Sequence, residues 1–158
     1  MNVIDIGASY FSHGKWKLFM RSKKTNWYAV DPNENNLGYV DNWIWDCKIK
    51  KIAIAISNKS EKTSFYITNE DSGSSILKPH FNENIEHRSS KDYFFPYKKI
   101  QLDTVAINEV IEKKLITPEL PTIMKLDTQG TEFNIIQSLE QKYLKNIICF
   151  ELESNLHA

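Results

Sequence analysis

Val3-Ile4-Asp5-Ile6-Gly7-Ala8-Ser9 decides the fold: an apolar run holding one carboxylate and ending in a glycine. Such a run reads as a strand buried on both faces, which suits a parallel sheet. The glycine lets the backbone turn tightly at the strand's carboxyl end and come close to a ligand. Working outward, Trp27-Tyr28-Ala29-Val30 is a second strand, closed by Asp31-Pro32-Asn33, where Pro32 cannot donate to a ladder. Between the two, Trp16, Leu18, Phe19 and Met20 fit a helix, and the stretch 34–45 has room for a short one. Ile52-Ala53-Ile54-Ala55-Ile56 reads as a third strand. After the turn Ser57-Asn58-Lys59-Ser60, the β-rich Thr63-Ser64-Phe65-Tyr66-Ile67-Thr68 is expected to pair with it as a hairpin or meander.

Residues 69–98 are polar and aromatic and read as a long functional loop. Ile100-Gln101-Leu102-Asp103 is a short strand. Asp103-Thr104 is expected to cap a helix through Val105, Ile107, Val110, Ile111 and Leu115, ended by Pro118 and Pro121. Thr122-Ile123-Met124-Lys125-Leu126 is another strand. A helix starting at Gly130-Thr131 should carry Phe133, Ile136, Leu139 and Tyr143 on one face. The last strand runs over 146–152. Strands alternating with helices give an α/β chain with a doubly wound, mostly parallel sheet in one domain, 1–158.

The composition narrows the function classes. The chain has 158 residues, 20 Lys+Arg against 20 Asp+Glu, and only two arginines, Arg21 and Arg88. Zero formal charge argues against a sequence-independent nucleic-acid binder, and no apolar run is long enough to span a bilayer. Cys47 and Cys149 read as buried free thiols. Without a signal-peptide pattern at the N-terminus, a cytoplasmic protein is expected.

In a doubly wound sheet, ligands bind outside the carboxyl ends of the strands. Carboxylates gather there: Asp5, Asp31, Asp127 and Glu151. A dinucleotide fingerprint would place glycines where Ser9 and Ser12 stand, so the pyrophosphate cradle is poor. Asp31 fits a carboxylate for ribose hydroxyls, the other reading being a helix cap. Ser57-Asn58 would lie beside a base, or simply form a turn. Asp127 ends a central strand beside a helix start, where capping is again the alternative, and Glu132 is either first-turn dipole compensation or a second acidic wall. Glu151 and Glu153 share a face of the final strand. A ribose carboxylate, a tight glycine turn and acidic walls without a phosphate cradle suit a cationic nucleoside such as S-adenosylmethionine better than NAD. Asp127 is the first candidate for a base or orienting group, Glu151 the second, and His80 or His87 on the long loop the third. No metal site is expected.

These segments resemble the FkbM family of S-adenosylmethionine-dependent methyltransferases. Val3-Ile4-Asp5-Ile6-Gly7-Ala8 is similar to the family's opening D-x-G-A, and Tyr28-Ala29-Val30-Asp31-Pro32-Asn33 to its acidic-Pro-Asn strand end. Ala53-Ile54-Ala55-Ile56-Ser57-Asn58, Ser74-Ser75, Leu102-Asp103-Thr104 and Phe150-Glu151 follow in order. Most specific is Met124-Lys125-Leu126-Asp127-Thr128-Gln129-Gly130-Thr131-Glu132, close to K-x-D-x-(Q/E)-G-x-E. The resemblance implies a Rossmann-like class I methyltransferase fold, with the cofactor lying across Asp5, Gly7, Ala8, Ser9, Asp31, Pro32, Asn33, Ser57 and Asn58. It implies O-methylation of a sugar, glycan or secondary metabolite, and on that reading the 69–98 loop is expected on the acceptor side, selecting the acceptor. Phe11 stands where the family has a glycine. Two further strands usual after Glu151 are missing, so we expect a sheet abbreviated at its C-terminus or completed in a homodimer. The alternatives are a non-catalytic nucleoside-binding or scaffold module and a nucleotide-dependent oxidoreductase.

Overall fold

A computed structural model of the chain describes residues 1–8, 17–38, 45–78 and 95–152. Strand β1 (Asn2–Ile6) is buried along its whole length, because both its edges and both its faces are covered. It pairs in parallel with β2 (Asn26–Val30) on one side and with β7 (Thr122–Leu126) on the other. The outer strands are β3 (Lys48–Ile52) beside β2 and β8 (Ile147–Leu152) beside β7, giving a parallel sheet of order β3-β2-β1-β7-β8. Connections run in one direction from β1 to β3 and in the other from β7 to β8. The switch point of the sheet therefore lies between β1 and β7, where open α/β sheets bind ligands.

Alternation along the strands sends side chains to two separate cores. Ile4, Ile6, Tyr28, Val30, Met124 and Leu126 pack on one face against α3 (Ile107–Glu112) and α4 (Glu132–Ser138), through Ile107, Val110, Ile111 and Ile135. On the other face Val3, Trp27, Ala29 and Ile123 meet Met20 of α1 (Lys17–Met20) and Leu37 of α2 (Glu34–Leu37). This is the doubly wound α/β arrangement expected. No helix among the described residues is long and apolar enough to cross a membrane.

A second sheet stands beyond the carboxyl ends of the first. Its order is β4-β6-β5, from β4 (Ala55–Ser57), β5 (Glu61–Thr68) and β6 (Pro96–Ala106). Here several expectations are corrected. The run 52–56 is not one strand: after Ile52 the chain turns, with Ile54 N–H donating to Ile52 O at 3.1 Å, and restarts as β4 in the other sheet. β3 lies upstream in Lys-Ile-Lys-Lys-Ile, whose lysines suit an outer strand. β4 and β5 form no hairpin, because β6 lies between them, parallel to β4 and antiparallel to β5.

β6 also runs on through Asp103 and Thr104, so neither caps a helix. α3 starts after Ala106, and the Thr104 hydroxyl lies 3.0 Å from the carbonyls of Lys59 and Glu61, tying the β4–β5 turn. α3 ends at Glu112, before the prolines, with Lys114 left-handed at φ 55°. α4 buries Glu132 and Ile135, whereas Phe133 is 66% exposed. An extended Leu139 separates α4 from α5 (Gln141–Leu144). Within 69–98, a 3-10 turn covers Asp71–Gly73 and Pro96 already belongs to β6. Cys149 is exposed rather than buried, because β8 is an outer strand, while Cys47 is buried.

Candidate active site

Three strand ends meet at the switch point. Gly7 leaves β1 with φ +80°, and its N–H and that of Ala8 both donate to Val30 O, at 2.9 and 3.0 Å. The turn is thereby folded over the end of β2. Asp127 N–H donates to Ile6 O at 2.9 Å, bringing the end of β7 against the same turn. A Cβ on Gly7 would lie 1.9 Å from the Asp127 carbonyl oxygen. The glycine is thus dictated by the neighbouring strand as well as by its own dihedral angle.

Beneath this turn lies a buried ionic cluster. Lys125 Nζ contacts Asp5 Oδ1 at 3.0 Å, Asp127 Oδ2 at 3.4 Å and Gly7 O at 3.4 Å. Asp5, Lys125 and Glu151 occupy matching positions on β1, β7 and β8. Burial alone would lower the Lys125 pKa. The Asp5 and Asp127 carboxylates outweigh it and hold the ammonium above its ordinary value, so it stays charged.

Asp31 follows β2 and is 6% exposed. Its Oδ1 accepts from Asn33 N–H at 2.8 Å and from Asn36 Nδ2 at 3.2 Å. Asn33, not Asp31, is the N-cap of α2, accepting from Asn35 N–H at 3.1 Å. Burial raises the Asp31 carboxyl to about 6, against the two hydrogen bonds, which favour the anion.

The turn after β7 is held by Glu132. Its carboxylate accepts from Thr128 N–H at 2.7 Å and from Gly130 N–H at 3.0 Å. Gln129 and Gly130 take positive φ, 56° and 111°. Gln129 Nε2 donates to Asp127 Oδ1 at 3.0 Å, so both Asp127 oxygens are engaged. From the segment after β5, where Ser75 bridges to Tyr66, Ser75 Oγ reaches Thr128 O and Gln129 O, at 3.2 and 3.0 Å. Glu132 is therefore the tie of this turn rather than an acidic wall.

These strand ends border a cavity of about 460 Å³, within the range of small-molecule sites. Gly7, Asp31, Pro32, Asn33, Asn36, Asp127 and Thr128 line it from the ends of the parallel sheet, Ile54 from the turn before β4, and Ile56, Phe65, Ile67, Ile100 and Leu102 from the second sheet. The family model for the methyltransferase FkbM domain matches residues 5–157. The chain belongs to the FkbM methyltransferase family. Searches of curated proteins and of solved structures found no match.

In this FkbM methyltransferase the cavity brings together Gly7, Asp31, Pro32, Asn33 and Asp127 from the residues singled out in the sequence. Asp5 and Ala8 lie buried behind it, at 1% exposure each. Ser57 is buried and donates to Asn58 Oδ1 at 3.1 Å. Neither lines the cavity, which takes Ala55 and Ile56 from the same strand. Glu151 is half-buried on β8 and does not line it. Ser9, Phe11, Ser12, His80, His87 and Glu153 lie outside the described residues. Sequence reasoning passed over Lys125 and Asn36, and it named neither Asp71 nor Tyr97 within the 69–98 stretch it read as functional. Lys125 carried a signal: a cation inside an otherwise uncharged, fully buried strand needs buried anions beside it.

Proposed function

We propose that the chain is an S-adenosylmethionine-dependent O-methyltransferase acting on a hydroxyl of a small-molecule or glycan acceptor. The observation that carries this reading is one cavity holding the Gly7 turn, the Asp31 carboxylate and the Asp127 carboxylate at the switch point. The donor set fits the cofactor. Among the described residues both hydrogen bonds to Asp31 go to Oδ1, and Oδ2 is the oxygen for ribose hydroxyls. Asp31, Asp71 and Asp127 all border the cavity and favour a cation.

When bound, the cofactor supplies a methyl group on positively charged sulfur. The protein's part is placement and proton handling. Gly7 and Asp31 hold the nucleoside end. Asp127, fixed by Gln129 and Lys125, accepts a hydrogen bond from the acceptor hydroxyl, orients its oxygen and draws off its proton. The apolar face of the second sheet keeps water from that side.

Thermal unfolding with S-adenosylmethionine or NAD tests this. At a hundredfold excess over Kd a bound ligand stabilises by about 2.7 kcal/mol, which is a shift of several degrees. S-adenosylmethionine is expected to produce it and NAD to produce none. Stabilisation by NAD alone would replace the methyltransferase reading with the oxidoreductase one.

A further inference from the structure

The second sheet has two unlike faces. Ser64, Tyr66, Lys99 and Gln101 share one, where Gln101 Nε2 bonds Ser64 Oγ at 3.2 Å and the Lys99 ammonium sits 5.6 Å from the Tyr66 ring centroid. Phe65, Ile67, Ile100 and Leu102 lie on the other, half-buried, and line the cavity. The register of the β5–β6 pair shifts between Ile67 and Thr68: Ile67 faces Lys98, and Thr68 faces Pro96. Tyr97 is the residue left without a partner. A bulge of this kind re-aims a side chain, and Tyr97 lines the cavity although its neighbours on the strand alternate. It is 60% exposed. A large ring at a cavity wall with most of its surface uncovered is a vacant contact.

We propose that Tyr97 and the apolar face of β5 and β6 form the acceptor platform, and that the acceptor is an alcohol or phenol borne on a flat apolar ring. This rests on the reading of the cavity as a methyltransferase site. Polarity divides the cavity in the required way. Hydrogen-bonding side chains come from the strand ends of the parallel sheet, Asp31 and Asp127 among them, and from the turn after β5, where Asp71 and Ser74 stand, whereas the strands β4, β5 and β6 themselves offer carbon surface. A bare sugar would set several hydroxyls against Phe65, Ile67, Ile100 and Leu102, which cannot pair with them. A flat ring covers that surface and Tyr97 with one face, while its single hydroxyl can turn toward Asp127, which borders the same cavity. Tyr97 is thus a specificity-determining residue, set in place by an extra residue in one strand.

The test uses 2-naphthol as the probe and methyl α-glucoside as the contrasting one, each titrated into the full chain by calorimetry, with S-adenosylmethionine affinity measured in parallel. Wild type is expected to bind 2-naphthol and not the glucoside. Tyr97→Ala should weaken 2-naphthol by about tenfold, Tyr97→Phe should bind like wild type, and S-adenosylmethionine affinity should stay within about twofold in both. Preference for the glucoside, or 2-naphthol binding unchanged in Tyr97→Ala, overturns the acceptor platform and leaves the methyltransferase reading standing. If Tyr97→Ala weakens S-adenosylmethionine as much as 2-naphthol, the wall belongs to the cofactor and the proposal fails. Wild type that binds no S-adenosylmethionine overturns both.

Discussion

Asp31→Asn keeps the shape of the side chain and removes its charge, and it should make the protein more stable while weakening cofactor binding. Asp31 is buried, and its carboxyl is raised from an ordinary 3.8 to about 6. Between those pH values the folded chain keeps a proton that the unfolded chain has released. Wild type therefore loses stability as pH rises through this window, and the loss is complete above about 6. About two pH units correspond to about 3 kcal/mol at neutral pH, and the cost reached by pH 5 is about half of that. Asn at this position can still accept from Asn33 N–H and carries no charge to desolvate. The stability advantage of Asp31→Asn over wild type should therefore widen by about 1.5 kcal/mol between pH 5 and pH 7. Urea unfolding of both proteins at pH 5, 6 and 7 measures it. The same substitution replaces a charged acceptor by a neutral one and should weaken S-adenosylmethionine by roughly tenfold or more. A stability gap that stays constant with pH refutes the burial argument. Unchanged cofactor affinity refutes the ribose role.

Gly7→Ala puts a methyl group onto the Asp127 carbonyl at a positive φ, so it should destabilise by about 2–4 kcal/mol in urea unfolding. Lys125→Met leaves Asp5 and Asp127 without their cation and should cost about 3–5 kcal/mol. Adding Asp5→Asn should restore part of that in the same assay, as a double-mutant cycle. Asp127→Asn should keep S-adenosylmethionine affinity within about twofold and lower turnover by about a hundredfold or more, the usual scale for a proton-handling group. Separate calorimetry and methyl-transfer assays would show the split. Glu132→Gln retains the shape of the tie but weakens its bonds to Thr128 and Gly130, and amide exchange at both residues should quicken.

The central strands were legible because burial on both faces writes them as apolar runs: β1, β2 and β7 were found with their turns, and those turns supply Gly7, Asp31 and Asp127. β3 was illegible for the opposite reason. An outer strand needs one paired edge and little burial, so Lys-Ile-Lys-Lys-Ile carries no apolar signal, while the stronger apolar run beside it is divided between two sheets. The helix after β6 was started too early because Asp103-Thr104 has the composition of a cap. Its hydroxyl is used by a turn 43 residues away, which local pattern cannot register. On the face expected after Gly130, Leu139 is buried and Ile136 and Tyr143 pack against the core, but Phe133 turns to solvent, and the buried first-turn residue is Glu132, a charged side chain that hydropathy assigns to solvent. The stretch 69–98 was read as functional, but its part in β6 and the placing of Tyr97 were not legible: a bulge is a mismatch between two strands, and neither strand's sequence contains it alone.

The position of β1 at the middle of the sheet has a consequence for synthesis. Its pairing with β2 joins residues 24 apart, but its salt bridge to Lys125 spans 120 residues. At ribosomal speeds of about 5–20 residues per second, the second partner emerges roughly 6 to 24 s after the first strand. Through that interval a largely apolar strand with Asp5 at its core has one open edge and no cation to meet its carboxylate. The candidate site therefore comes into being late, when β7 closes the gap, and nascent chains halted before Lys125 should depend on chaperones and bind no cofactor.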